Sequence, residues 1–268
     1  MAWDPAQYLK FAGERMRPAI DLLARVPLAA PRGIVDLGCG TGNVTRLLAD
    51  RYPAAAITGV DDSLPMLERA AADGPAGGRI RWCRGDLARW EPAAGESAPE
   101  LLFSNAALHW LDDHARLFPR LFAAVAAGGV LAVQMPNQFH APSHVALAEV
   151  AGGARWRERL GPTLRPVPVA APQAYYEWLA ADADGIDLWS TEYLHVLPAA
   201  DDGEHPVVAW TRGTALLPFL ARLDPDLGRA FLDDYRDRMA AAYPPRPDGT
   251  VLFAFRRQFL VATRRRTP

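Results

Sequence analysis

Gly33-Ile34-Val35-Asp36-Leu37-Gly38-Cys39-Gly40-Thr41-Gly42-Asn43 is the stretch whose reading decides the fold. Ile34 to Leu37 reads as a short buried strand. Three glycines then alternate with small residues, and Val44, Leu47 and Leu48 follow at helical spacing. Glycines at such a strand-to-helix turn let the backbone pass close to a ligand and take conformations that other residues avoid. The arrangement predicts a doubly wound α/β fold with a ligand at this turn.

The spacing is G-x-G-x-G, whereas dinucleotide-binding folds carry G-x-G-x-x-G. Asp36 stands just before the first glycine, where a carboxylate would repel a pyrophosphate. It suits a ligand with an ammonium and a sulfonium and no phosphate. S-adenosylmethionine is such a ligand. The plainer alternative is an ordinary turn with a solvated acid.

Upstream, residues 4–26 read as helical. Asp4 is placed to cap, Pro5 suits the first turn, and Tyr8, Phe11, Ile20, Leu22 and Leu23 are apolar. This helix is expected to cover the cleft. Downstream, residues 56–61 read as a second strand ending in Asp61-Asp62, before Ser63 and a helix through Met66, Leu67 and Ala70. Asp61 follows the glycine loop by about twenty residues, where Rossmann-like folds place an acid on a ribose. Asp62 or Ser63 is expected at the helix start. Residues 80–87 read as the third strand with its loop, where Asp86 is either an acceptor for the adenine amine or a turn acid. A Pro/Ala/Gly/Ser-rich loop covers 91–99. Residues 101–106 and 130–135 read as the fourth and fifth strands. Five βα units in succession predict a parallel sheet, with Gly38, Asp61, Asp86 and Asn105 converging at the carboxyl ends of its strands.

The second half differs. Residues 136–172 read as a helical excursion, 172–179 as a helix and 186–196 as a strand. Two or three helices over 204–243 carry Trp210, Phe219, Phe231 and Tyr235, and residues 251–262 read as a last strand. The two late strands fit an antiparallel pair added to a parallel sheet. Their helical insertion is expected to roof the cleft.

The chain has 268 residues, half of them hydrophobic, enough for one large domain or a domain with a lid. Its formal net charge of −2 points away from polyanionic partners, and the run Arg264-Arg265-Arg266 reads as a solvated terminus. Lys10 is the only lysine, so the cations are almost all arginine, the better residue for a two-pronged grip on a carboxylate. Two cysteines, Cys39 and Cys83, are too few for a disulfide framework and fit a reducing, cytoplasmic setting. Neither a leader nor a membrane span is expected, nor a nucleic-acid partner; a monomer or weak dimer is. His140 and His144 have the spacing of a helical metal pair. Pro142 lies between them and no third ligand is evident, so no metal is expected.

These motifs together resemble the class I S-adenosylmethionine-dependent methyltransferases, and within them the trans-aconitate 2-methyltransferase family. The likeness runs through Trp3-Asp4-Pro5, Asp36 to Asn43, Thr58-Gly59-Val60-Asp61, Asn105 to Leu111, Gln134-Met135-Pro136 and Pro142-Ser143-His144. It continues in Tyr175-Tyr176, Tyr193-Leu194-His195, Gly213-Thr214, Pro218-Phe219, Ala242-Tyr243-Pro244 and Phe255-Arg256-Arg257. Thr41 departs from an expected Pro. His109 departs from a common Gln, on the substrate side.

The resemblance implies a Rossmann-like fold: a mostly parallel seven-stranded sheet with an antiparallel last strand and a helical lid. It divides the chain into an N-terminal helical cover (1–30), a cofactor-binding core (31–136), and lid insertions with two closing strands (137–268). It implies methyl transfer from S-adenosylmethionine to a carboxylate of a small polycarboxylic acid, leaving S-adenosylhomocysteine. A carboxylate is already ionised at neutral pH, so no catalytic base is required; exclusion of water and fixed geometry carry the rate. The cofactor residues are then Asp36 near the methionine ammonium, Gly38 and Gly40 at the close approach, Asp61 with Asp62 at the ribose, Asp86 and Leu87 at the adenine, and Asn105 near the amino-acid end. Substrate candidates are His109, Trp110, His144, Tyr175, Trp189, Trp210, Arg256 and Arg257; for each aromatic, core packing is the alternative and the commoner role. Strand alternation turns only one of the two arginines inward. The alternative is methylation of another small acid or of a natural-product hydroxyl, which requires a base, His109 or His144. An NAD-dependent enzyme and an idle cofactor-binding protein are the remaining alternatives.

Overall fold

The structure, a computed structural model, describes residues 12–73, 79–200 and 203–266. The expected contributions of Trp3, Asp4, Pro5, Tyr8 and Phe11 lie outside the described residues.

In chain order the elements are α1 (Ala12–Ala24), β1 (Gly33–Leu37), α2 (Asn43–Arg51), β2 (Ala56–Asp61), α3 (Leu64–Ala72), β3 (Ile80–Arg84) and β4 (Leu101–Asn105). A single 3-10 turn (Leu108–Trp110) precedes α4 (His114–Ala123), β5 (Val130–Pro136), α5 (Pro142–Gly152), α6 (Arg157–Leu160) and α7 (Pro172–Leu179). Then come β6 (Ala183–Leu197), α8 (Pro206–Arg212), α9 (Leu217–Leu220), α10 (Pro225–Ala242) and β7 (Val251–Arg264). The seven strands form one sheet of order β3-β2-β1-β4-β5-β7-β6. β3, β2, β1, β4 and β5 are parallel, and β7 runs antiparallel to β5. The fold is the Rossmann-like class I methyltransferase architecture read from the sequence.

Two expectations need correction. The connection from β3 to β4 contains no α-helix, so that unit is strand-loop-strand. Residues 91–99, rich in Pro, Gly and Ala, lack the apolar 3.6-residue spacing a crossover helix needs. Ile20 is half exposed, and Ala19, Leu22 and Leu23 instead bury the inner stripe of α1.

By their contacts the described residues fall into two compact units. Contacts group residues 16–73, 79–136, 168–191 and 257–266 into one unit, which holds the sheet's parallel strands. Residues 12–15, 137–167, 192–200 and 203–256 form the other. β6 and β7 are 15 and 14 residues long, so each strand contributes to both units.

In the sheet unit, β1, β4 and β5 are almost wholly buried, with Leu37, Leu102, Phe103 and Leu131 at 0 % exposure. Such continuous apolar runs are what a parallel sheet covered on both faces requires. α4 packs Leu117, Phe118, Leu121 and Phe122 inward at helical spacing. In the other unit, α5 packs on α10 around Trp156, Phe231, Tyr235 and Phe253. There the Trp156 indole donates to Asp234 at 2.6 Å, which satisfies its N–H. Among the described residues no helix is long and apolar enough to cross a membrane.

Candidate active site

The glycine turn is pinned from below. The amides of Gly38 and Cys39 both donate to the Val60 carbonyl, at 2.8 and 3.0 Å, which ties the loop to the end of β2. The three glycines do different work. A Cβ on Gly38 would stand 2.1 Å from that of Ala107, and one on Gly42 would meet the Trp82 ring at 2.4 Å. Both are therefore demanded by packing. Gly40 has φ +52°, and a Cβ there would meet nothing closer than the Met66 sulfur at 4.0 Å. Its outer face is the place where a ligand can come against the backbone.

Asp36 lies beneath this loop at 1 % exposure. Its Oδ2 accepts from the Thr45 hydroxyl at 2.6 Å, so the first turn of α2 holds the carboxylate from above. Burial, offset in part by that bond and reinforced by the nearby Asp61 charge, pushes its pKa up to about 7. Asp61 accepts from the Gly40 amide through Oδ2 at 2.8 Å and from the Ser63 amide through Oδ1 at 3.0 Å. Burial raises its pKa as well. Two of its roughly four acceptor positions remain for a pair of ligand hydroxyls. Ser63 is the N-cap of α3, but its side chain makes no capping bond; Asp61 serves that end instead. Asp62 is exposed.

Strand register adds what sequence spacing did not show. Asp36 opposes Gly59 on β2 and Phe103 on β4; Asn105 opposes Gln134 on β5; Gln134 and Pro136 oppose Phe259 and Arg257 on β7. Opposed residues, and residues two apart on one strand, share a face of the sheet. Asp61, Asp36, Asn105, Gln134 and Arg257 therefore lie on one face, in a row across the carboxyl ends of the parallel strands. The two acids occupy one end. Arg257, 4 % exposed, occupies the other, three strands away from Asp36. Arg256 is exposed and belongs to the opposite face and the other unit.

The remaining candidates are distributed as follows. Asp86 is exposed and accepts from the Ala88 amide at 2.9 Å, a turn arrangement. Leu87 comes within 3.4 Å of the place a Gly38 Cβ would take. His109 and Trp110 sit on the 3-10 turn after β4, ring centroids 4.7 Å apart, with Trp110 exposed.

Tyr175 is wholly buried, and its hydroxyl is committed to partners within the protein. Its hydroxyl meets His114 Nδ1 at 2.6 Å and accepts from the Ala170 amide at 3.2 Å. His114 Nε2 lies 3.0 Å from the Leu108 carbonyl. A carbonyl only accepts, so Nε2 carries the proton and the tyrosine donates to Nδ1. This chain anchors the turn that bears His109 and Trp110. Trp189 stacks on Phe259 at 4.7 Å with Arg25 over its ring, a packing role. In the other unit, Trp210 is 2 % exposed in an aromatic cluster with His195, Phe253 and Phe255. His144 lies edge-on to Phe139, and burial brings its pKa down to about 4. Among the described residues no group of three His, Cys, Asp or Glu side chains could hold a metal ion.

Sequence reading missed Thr45, Arg46, His114 and Gln134 as parts of this site. Arg46 donates to the Thr41 carbonyl at 3.0 Å and the Ala70 carbonyl at 2.7 Å, bracing the glycine loop against α3. The only available signal was the place of Gln134 at the end of an apolar strand, where a buried amide is unusual.

The site fits a cationic, phosphate-free ligand. Asp36 is a buried acid and Asp61 a half-buried one, neither with a basic partner among the described residues, and Gly40 opens the backbone beside them. Comparison with known proteins agrees. The profile of a family described as "Methyltransferase domain" matches residues 34–129. A trans-aconitate 2-methyltransferase of Methylobacterium nodulans is 48% identical over 98% of this chain and 99% of its own. One from Agrobacterium fabrum is 43% identical over 99% of this chain and 100% of its own. A crystal structure of a putative methyltransferase from Bacillus halodurans superposes with a TM-score of 0.58 at 13% identity, covering 94% of this chain and 100% of that one, and shows the fold alone.

Proposed function

The chain belongs to the trans-aconitate 2-methyltransferase family, and from that premise we propose that it methylates one carboxylate of trans-aconitate, or of a closely similar polycarboxylate. The donor is S-adenosylmethionine, and the products are the monomethyl ester and S-adenosylhomocysteine. The observation that carries this reading is the charge order of the row: a buried acid at β1 and a half-buried one at β2, a buried arginine at β7, on one face of one sheet.

Bound at the glycine loop, S-adenosylmethionine supplies an activated methyl group on a sulfonium. The chain's own residues bind and orient. Gly40 leaves the backbone open, Asp61 offers its free acceptor positions, and Asp36 lends negative charge from beneath the loop. Arg257 gives a carboxylate the delocalised cation that suits it, in a buried setting where such a pair is strong. Held in these two seats, the partners meet above the ends of β4 and β5, and fixed orientation lowers the barrier.

No side chain has to move a proton, because the acid arrives ionised. Two of the histidines accord with that. His114 is committed to Leu108 and Tyr175, and His144 is held neutral at physiological pH with a pKa too low for an effective base there.

Mass spectrometry of reactions with trans-aconitate, cis-aconitate and isocitrate tests the reading. The expected result is a gain of one methyl group on trans-aconitate. Methylation of none of these acids, with a hydroxylic compound methylated instead, would overturn it.

A further inference from the structure

We propose that Gln134 and Arg257 form a two-part clamp for one carboxylate of the substrate, a proposal that rests on the carboxyl-methylation reading above. Gln134 is 0 % exposed at the carboxyl end of β5, between Asn105 on β4 and Phe259 on β7. Its Oε1 accepts from Arg257 Nη1 at 3.4 Å. A guanidinium only donates, so the amide atom facing it must be oxygen, and the orientation of the amide is thereby fixed. Its Nε2 then turns elsewhere, and it has no hydrogen-bond partner among the described residues. A buried amide donor left in that condition is costly and calls for an acceptor.

A second orphan fixes where that acceptor belongs. Asn105 Oδ1 is also buried without a partner among the described residues, and Asn105 is the register partner of Gln134. Going across the row, Asp61, Asp36 and Asn105 present acceptors, while Gln134 and Arg257 present donors. The row changes sign between β4 and β5. The acceptor side suits a cation and the donor side an anion. A carboxylate on the donor side takes one bond from Nε2 and others from the guanidinium. An amide at position 134 steers Arg257 through Oε1 without neutralising it, which a glutamate would do.

The clamp is tested by titration calorimetry with trans-aconitate on the full chain saturated with S-adenosylhomocysteine. Gln134→Met keeps the volume and removes the donor. It should weaken acid binding about ten- to a hundredfold, the effect of one hydrogen bond to a charged group. S-adenosylhomocysteine binding should stay unchanged, and in turnover the KM for the acid should rise while the KM for S-adenosylmethionine does not. Gln134→Glu pairs with Arg257, preserves the fold and should weaken the acid further, so it serves if the methionine variant unfolds. Wild-type affinity for the acid in these variants would overturn the clamp and leave the methylation reading intact. An equal loss of S-adenosylhomocysteine affinity would place the clamp on the cofactor and overturn it too. A wild-type chain that binds S-adenosylhomocysteine but neither binds nor methylates the acid would overturn the methylation reading, and the clamp with it.

Discussion

Replacing Asp36 with asparagine should stabilise the ligand-free protein at alkaline pH while weakening its cofactor binding. Asp36 is buried, and its pKa stands at about 7 against an ordinary 3.8. From about pH 4 to 7 the folded chain therefore keeps a proton that the unfolded chain has released, and stability falls as pH rises through that window. The shift of about three units is worth about 4 kcal/mol at pH 8 and about 2 kcal/mol at pH 5. Asparagine removes this dependence. Its carbonyl still accepts from Thr45, while its buried amide hydrogens gain no acceptor, at a pH-independent cost of about 1–3 kcal/mol. The clean quantity is the difference between variant and wild type. It should move in the variant's favour by between 2 and 3 kcal/mol from pH 5 to pH 8, from the same two values. Urea unfolding of the ligand-free proteins at four pH values measures it. A difference that stays flat with pH would refute the argument that Asp36 is held as a strained buried charge.

Gly40→Ala places a Cβ at φ +52° in open space. It should cost about 1 kcal/mol of stability and weaken S-adenosylhomocysteine binding, whereas Gly38→Ala, with its 2.1 Å clash, should cost far more stability; thermal unfolding and calorimetry separate the two. Asp61→Ala should fold yet bind S-adenosylhomocysteine at least tenfold more weakly, because it frees the Gly40 amide as well as removing the proposed ribose acceptor; calorimetry decides. Tyr175→Phe leaves His114 Nδ1 and the Ala170 amide unpaired and should destabilise by about 1–3 kcal/mol in urea.

The fold was legible because local signals agreed with one another. Apolar runs, glycine turns and helical spacing all named the same strands, and β1, β2, β4 and β5 lie within a residue or two of where they were read. The proposed cofactor end rests on signals of the same kind, since Asp36, Gly40 and Asp61 belong to short local motifs. The proposed substrate end was legible only in part: Arg257 was named from the sequence, but not its place beside Gln134. It depends on β7 returning antiparallel beside β5, which brings Arg257 to Pro136 across more than a hundred residues. No spacing rule reveals such a neighbour. The aromatics stayed ambiguous between substrate contact and core packing because Tyr175, Trp189 and Trp210 are the same residue types in either place; partners such as His114 and Phe259 favour packing.

Calorimetry on two variants tests the charge order of the row most directly: Arg257→Met and Asp36→Asn, each titrated with S-adenosylhomocysteine and then with trans-aconitate. The account predicts a crossed result, with Arg257→Met losing the acid and keeping S-adenosylhomocysteine, and Asp36→Asn weakening S-adenosylhomocysteine first. Acid binding undiminished in Arg257→Met, in a protein that still folds, would contradict it.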